Sequence, residues 1–300
     1  MTVARHIAMP THAVASAVAV IVLSFAGSDV ARAQFKVIPP EIHTEFDYNG
    51  VYTTGRPSPP ADVKRHGHEL EVWLGVTGQW AVGATATPEQ RRGEDGRFDA
   101  FKFSEIEVQQ KLVILPIEGH GTGVTFYSAY GQTVAGGLTG ENEKELKFGP
   151  IIKAERSAFM AQTNVFLVRL FDLEERAFED GALEIEREPS HWTLNYRWQV
   201  TYQQSARWAF GLEGFGEIVD IGNHIPGGGP SRHRLGPVIY LTTGKDGHSN
   251  APTLKDGDPH RHDHDNGDGD QGLQLAFGVL FGLNDETSDA TLKWRLGFEF

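Results

Sequence analysis

Histidine and aspartate concentrate in one glycine-rich stretch of the sequence, residues 244–272. His260, His262 and His264 alternate there with charged residues, and imidazole beside carboxylate suits zinc, copper or nickel. An EF-hand fails, because the fifth position counted from Asp263 is Gly267. So many Gly, Asp and Pro residues cannot build a core, which predicts a flexible loop. It either binds a divalent metal weakly through the three histidines or is a solvated spacer.

A second pair of histidines lies near the N-terminal half of the chain. In a strand, His66 and His68 share one face, and Glu69 follows directly. This spacing can hold a metal, although a bare pair is a weak signal and a polar surface explains it better. The single residues His43, His120 and His191 are interpreted as strand-end or turn residues.

No local sequence motif indicates a catalytic site. A Ser-His-Asn lipid hydrolase needs the residue types of Ser157, Ser190, Asn195, Asn223 and His224, but their spacing matches no known arrangement. Residues 227–229 are glycines, and Pro230 after them prevents a phosphate-binding helix N-terminus. The chain has no cysteine, which excludes thiol catalysis and disulfides. We expect no enzymatic activity and no resident cofactor.

The amino-acid composition argues against one kind of partner and indicates the fold class. The net charge of -13 argues against a nucleic-acid partner, which requires a basic surface. The 35 glycines, 18 Phe, 7 Tyr and 6 Trp, beside only 3 Met, favour many short strands joined by turns. The composition therefore predicts an all-β protein.

The first residues have the pattern of an export signal. Arg5 and His6 precede an apolar run over residues 13–26, and Ala31-Arg32-Ala33 offers a small-x-small cleavage site. This predicts a signal peptide over residues 1–33 and a mature chain over 34–300; the alternative is a single anchor helix. No later stretch is apolar enough for a membrane helix, so the exported chain is either soluble or a membrane β-barrel.

Alternation along the predicted strands decides between these two. The last strand sets Leu292, Trp294, Leu296, Phe298 and Phe300 against a polar face, and residues 192–203 repeat the pattern with four aromatics on one face. A β-sandwich core rarely takes six bulky residues from one strand, whereas lipid accepts them and gathers aromatics at its interfaces. The pattern favours an antiparallel transmembrane β-barrel over a secreted sandwich.

About twelve strands are predicted, which places both chain ends in the periplasm. They cover residues 43–55, 67–77, 80–87, 101–114, 123–130, 145–154, 158–171, 191–204, 208–219, 234–243, 273–283 and 290–300. A phase slip between Phe103 and Ile106 suggests a bulge, and residues 158–171 show no clean face. Tight links alternate with longer polar segments such as 88–100 and 172–190.

The polar faces predict a charged barrel interior. The side chains expected to face the lumen are Glu69, Glu71, Arg197, Glu213, Glu217, Lys293, Arg295 and Glu299. Such an interior is either a selective pore or a lumen plugged by ion pairs, and the sequence leaves both open.

Several motifs resemble a known family. Pro39-Pro40-Glu41-Ile42, residues 75–80 (GVTGQW), residues 212–217 (LEGFGE), Gly236-Pro237-Val238, residues 278–283 (GVLFGL) and the aromatic last strand are similar to outer-membrane barrels grouped with the phenol-degradation MetA-pathway family. The resemblance covers residues 41–300 apart from 244–272. It implies a non-catalytic channel or transporter in the bacterial outer membrane, reached through the periplasm, with lipid, the assembly machinery and an unidentified small solute as partners. The alternatives are a plugged structural or metal-binding barrel and, less favoured, an outer-membrane lipid hydrolase.

Overall fold

A computed structural model describes most of the chain after residue 35. The described residues are 36–54, 65–91, 97, 100–117, 121–133, 144–171, 173–179, 182–188, 191–219, 221, 231–243, 272–285 and 287–300. The predicted signal peptide and the loop histidines His260, His262 and His264 therefore lie outside them.

The described residues form fourteen antiparallel strands, and twelve of them close into one barrel. The barrel strands are β1 (Glu45–Thr54), β2 (Arg65–Thr77), β3 (Trp80–Arg91), β4 (Lys102–Leu115), β5 (Thr122–Thr133), β6 (Lys144–Arg156), β7 (Phe159–Phe171), β10 (His191–Gln203), β11 (Trp208–Ile218), β12 (Ser231–Thr243), β13 (Gly272–Gly282) and β14 (Ala290–Glu299). This confirms the predicted twelve-strand antiparallel barrel.

Neighbours in the barrel follow chain order, except that β7 pairs with β10 and β14 closes onto β1. The two strands left out, β8 (Leu173–Glu179) and β9 (Ala182–Glu188), pair with each other as a separate hairpin. Residues 172–190, expected as a polar connecting segment, thus contain regular structure. No helix in the described part of the chain is long and apolar enough to span a membrane.

The two ends of the barrel differ in their connections. The end where β1 begins and β14 finishes, here the terminal end, has tight links such as Gly78-Gln79 and Ser157-Ala158. Ser157 adopts a φ of 54°, as a two-residue hairpin turn requires. The opposite end, here the loop end, has longer connections, including the one that contains β8 and β9. Residues 244–271 join β12 to β13 at the terminal end, as the strand order predicts.

Two irregular regions of the sequence now have a physical explanation. Ser104 has no partner in the register between β3 and β4, and its hydroxyl donates to the Thr87 carbonyl at 2.7 Å. Pro88 follows and lacks an N–H, so a bulge at this place loses no ladder bond. The predicted bulge is confirmed. Strand β7 alternates regularly in burial, but its inward face itself includes apolar residues such as Phe166 and Val168, which hid the pattern.

The outward face is a belt of exposed apolar side chains. Its exposed members on the strands include Val76, Val108, Leu112, Ile114, Phe126, Tyr130, Phe159, Val200, Tyr202, Trp208, Phe210, Leu212, Ile239, Phe277, Phe281 and Phe298. Exposed hydrophobic surface on this scale is the lipid-facing surface of a transmembrane barrel.

Candidate functional site in the barrel lumen

The eight charged residues predicted to face the lumen all alternate onto the inward side of their strands. Glu69, Glu71, Arg197, Glu213 and Lys293 are buried there, whereas the other three retain side-chain exposures of 25% (Glu217), 16% (Arg295) and 32% (Glu299). Most of their partners lie on other strands or in the residues that precede β1. The lumen is filled by these partners and by a part of the chain that precedes the first strand.

Residues 36–44, here the lumenal segment, enter the barrel from the terminal end and have no regular secondary structure. Pro39 and Pro40 have no N–H to offer, so this segment cannot extend the sheet as a strand. Residues 36–40 are all buried. The segment therefore occupies the interior of the barrel.

The positively charged end of the segment is Lys36. Its ammonium donates to Glu71 at 2.7 Å and to Asp47, and Glu45 lies 3.9 Å away. Lys36 is only 4% exposed and Asp47 is fully buried. A buried ammonium needs such carboxylates, because an unpaired charge in a low-dielectric interior is strongly unfavourable.

Side chains of the barrel wall satisfy the carbonyls of the segment. Arg197 donates to Lys36 O at 2.9 Å, and Asn164 donates to Ile38 O at 3.1 Å. Thr125 donates to Pro40 O at 3.1 Å. All three donors are side chains of the wall, and they take the place of the ladder bonds that a strand would form.

Apolar contacts complete the seat of the segment. Val37 packs with Phe215 of β11 and Leu280 of β13. Ile38 belongs to a larger buried cluster whose wall residues are Trp73, Ala81, Tyr127, Ala129, Ile151, Phe166, Val168 and Leu170. Contacts thus reach strands on opposite sides of the barrel, and the segment spans its cross-section.

A polar cavity lies between the segment and the terminal end. Its volume is about 80 Å³. Amides and hydroxyls dominate its polar lining: Asn49, Gln162, Gln199, Thr201, Gln203, Tyr240, Thr242 and Gln274. Glu213 accepts from Tyr240 and Lys293 at its wall. A small hydrogen-bonding solute fits this environment better than an apolar one.

Toward the loop end the lumen is acidic. Glu105, Glu107 and Glu145 are buried with carboxylate oxygens within 4.8 Å of one another. Lys147 lies among them, 2.7 Å from Glu107 and 3.0 Å from Glu145. The ammonium supplies the positive charge that a metal would otherwise bring. These residues were not among the predicted lumen-facing residues, although alternation in β4 and β6 places them inward.

Charged residues also mark the place where the segment joins β1. His43 lies 2.9 Å from Glu45 and 3.6 Å from Glu299. Burial alone would lower the pKa of His43, but the hydrogen bond and the negative charge of Glu45 outweigh it and raise the pKa above 6.5.

The remaining candidate residues do not assemble into a site with Glu69. His66 and His68 lie on the outward face of β2, whereas Glu69 is buried in the lumen. These residues are close in the sequence, but their side chains lie on opposite sides of the barrel wall. Ser157 lies in a turn at the terminal end, and Asn195 is paired in β10 with Phe166. Ser190, Asn223 and His224 lie outside the described residues, as do the loop histidines.

Comparison with known proteins finds similar solved structures but identifies no family. No family model matches the chain, and no curated protein matches it. The translocator domain of the autotransporter NalP from Neisseria meningitidis is 8% identical, with 96% of this chain and 95% of that one covered and a TM-score of 0.49.

Two other solved barrels are similar at the same level. The β domain of the Bordetella autotransporter BrkA is 12% identical, covering 86% of this chain and 99% of that one, with a TM-score of 0.47. The NanC porin is 10% identical, covering 85% and 98%, with a TM-score of 0.45. Likeness at this level carries no argument about function. The fold and the apolar belt define the class, a β-barrel of the outer-membrane type.

Proposed function

We propose that this protein is a non-catalytic outer-membrane channel for small polar solutes, held closed by its own lumenal segment. The observation that carries the proposal is the seating of residues 36–40 in the lumen through side-chain hydrogen bonds and ion pairs. The motif resemblance to the MetA-pathway group of barrels supports the same class of function.

The kind of contact favours a movable plug over a permanent one. A segment that had joined the sheet could not leave without opening the barrel. Residues 36–40 instead accept from Arg197, Asn164 and Thr125, whose own strands remain paired when the segment departs. Each neutral hydrogen bond contributes about 1 kcal/mol net, because water replaces it after release.

The polar cavity supports passage rather than a purely structural barrel. A lumen that only stabilises the fold is best filled, but here a polar cavity of about 80 Å³ remains beside the segment. Its amide and hydroxyl side chains offer hydrogen bonds to a polar solute, beside the charged lining residues Lys36, Arg207, Glu213, Lys293 and Arg295. Displacement of the segment would join this cavity to the acidic region toward the loop end.

Planar-bilayer recording tests the proposal. The chain beginning at residue 34 is compared with a variant that lacks residues 34–40. We expect rare or no conductance steps from the first and frequent steps from the second. Heat-modifiable migration on a gel checks that both barrels are closed.

A locked variant is the matched control. The chain has no cysteine, so Ile38→Cys with Asn164→Cys introduces one defined pair of thiols, one on the segment and one on the wall, which oxidation or a bifunctional disulfide-forming reagent can join. Its conductance should be absent when oxidised and should appear after reduction to the level of the unmodified chain or above. If the deletion variant folds but never conducts, the protein is instead a closed structural barrel.

A further inference from the structure

The outward face of β2 carries two imidazoles close together near the loop end. His66 and His68 are two residues apart, and their ring centroids are 4.4 Å apart with the planes tilted by 59°. Alternate strand residues point to the same side, so both rings project from the wall together. Two imidazoles held this close match the needs of one divalent transition metal.

Neighbouring strands orient both rings through the same nitrogen. Tyr48 Oη lies 2.6 Å from His68 Nδ1, and Gln90 Oε1 lies 3.2 Å from His66 Nδ1. Metal-binding histidines commonly donate from one ring nitrogen to such a partner, which fixes the ring and raises the basicity of the other nitrogen. Metal binding would select the tautomers in which both Nδ1 atoms donate and both Nε2 atoms coordinate.

Aromatic side chains surround the pair. Trp294 has its ring centroid 5.9 Å from His66 and 6.1 Å from His68, and Phe101 lies 5.7 and 5.0 Å from the same two rings. Tyr48 stacks on His68 at 5.4 Å. These rings restrict the motion of the imidazoles, which lowers the entropy lost when a metal binds.

We propose that His66 and His68 form a two-imidazole site for Cu²⁺, Ni²⁺ or Zn²⁺ on the outer wall of the barrel. Imidazole without carboxylate or thiolate suits these ions and not Ca²⁺ or Mg²⁺. Cu²⁺ binds most tightly, following the usual order of divalent metals. Water completes the coordination. The site is separate from the lumen and does not depend on the proposed channel.

A third histidine provides a natural control. His233 on β12 has the same kind of partner, since Tyr196 Oη lies 2.8 Å from its Nδ1 and the rings stack at 5.8 Å. Among the described histidines, only His68 combines that pairing with a second imidazole at 4.4 Å. If every outward histidine contributed to metal binding, removal of His233 would weaken binding too. If the site consists of His66 and His68, removal of His233 has no effect.

Quenching of tryptophan fluorescence by Cu²⁺ tests the site. The detergent-solubilised chain from residue 34 carries His260→Ala, His262→Ala and His264→Ala, which removes the loop imidazoles. We expect saturable quenching on titration with copper chloride, because the Trp294 indole lies beside the metal. Trp294→Phe should remove most of that quenching, while leaving the ligands in place.

His66→Ala and His68→Ala should each weaken the apparent affinity by about 100-fold, as loss of one arm of a chelate does. Tyr48→Phe should weaken it by about tenfold, since only the orienting bond is lost. His233→Ala should leave it unchanged. Equal titrations for His66→Ala, His68→Ala and their parent would overturn the proposal, and so would an equal loss in His233→Ala. Heat-modifiable migration and retention on immobilised Ni²⁺ check folding and binding independently of fluorescence.

Discussion

Arg295 on the last barrel strand binds Asp47 on the first with two parallel hydrogen bonds. Its Nε and Nη2 atoms each lie 2.9 Å from one carboxylate oxygen of Asp47. The same carboxylate accepts from Lys36 of the lumenal segment. One buried aspartate therefore joins three parts of the molecule: β1, the strand that closes the barrel, and the segment inside it.

Removal of Arg295 should destabilise the barrel strongly. Arg295→Ala leaves Asp47 buried with one cation fewer, and breaking a buried ion pair costs about 3 to 5 kcal/mol. Thermal unfolding followed by gel migration should show a clearly lower midpoint. Arg232→Ala is the control, because Arg232 is 57% exposed and lies 3.8 Å from Glu217, where pairs contribute at most about 1 kcal/mol. Similar midpoints for the two variants would contradict this assignment.

Stability should depend on pH through His43. Because its pKa is raised in the folded protein, protonated His43 stabilises the fold fully below the ordinary value of 6.5, and this contribution disappears as pH rises through the raised value. In the His43→Gln variant, the free energy of unfolding should not show this decrease as the pH rises. Urea unfolding at a series of pH values above and below 6.5 measures it. Parallel curves for both proteins would exclude His43 as the source.

A charge on the outward face should impair membrane insertion. Leu296 alternates onto the apolar side of β14, and Leu296→Arg would place a charge near the bilayer midplane at a cost of about 2 to 4 kcal/mol. Outer-membrane yield should fall, whereas Leu296→Phe should preserve it. Lys293 is unsuitable as an inward control, because it is buried against Glu213. Equal yields of the Arg and Phe variants would refute the lipid-facing assignment.

Protease should distinguish the two ends of the barrel in intact cells. With both chain ends in the periplasm, the loop end faces outward and residues 244–271 connect strands on the periplasmic side. Added protease should cut within residues 172–190 and spare 244–271. Permeabilising the outer membrane should expose the second region. Cutting within residues 244–271 in intact cells would show that the barrel has the opposite orientation in the membrane.

Alternation was sufficient to predict the barrel, because lipid demands apolar side chains on every other residue. It failed where the interior is also apolar, as at Phe166 and Val168 of β7, since two apolar faces produce no period. The bulge at Ser104 was visible as a phase slip because it shifts all following residues to the other face.

The lumenal segment was not predictable in the same way. Pro39 and Pro40 contributed to the family resemblance, but nothing periodic indicates that residues 36–44 fold back into the barrel. Inward charges were predicted residue by residue, whereas their pairing was not. Lys293 binds Glu213, which is 80 residues away in the sequence. Only closure of the barrel brings these two residues together.

The lumenal segment also sets an order for assembly. Lys36 binds Asp47 and Glu71, only 11 and 35 residues further along the chain, so these contacts can form on the β1–β2 hairpin alone. Its bond to Arg197 spans 161 residues, and the Arg295–Asp47 bond across the final seam spans 248. Contacts between distant residues form late, because chain entropy opposes them. The segment is therefore fastened to the first hairpin and then enclosed by the growing wall, and it need never be threaded into a finished barrel.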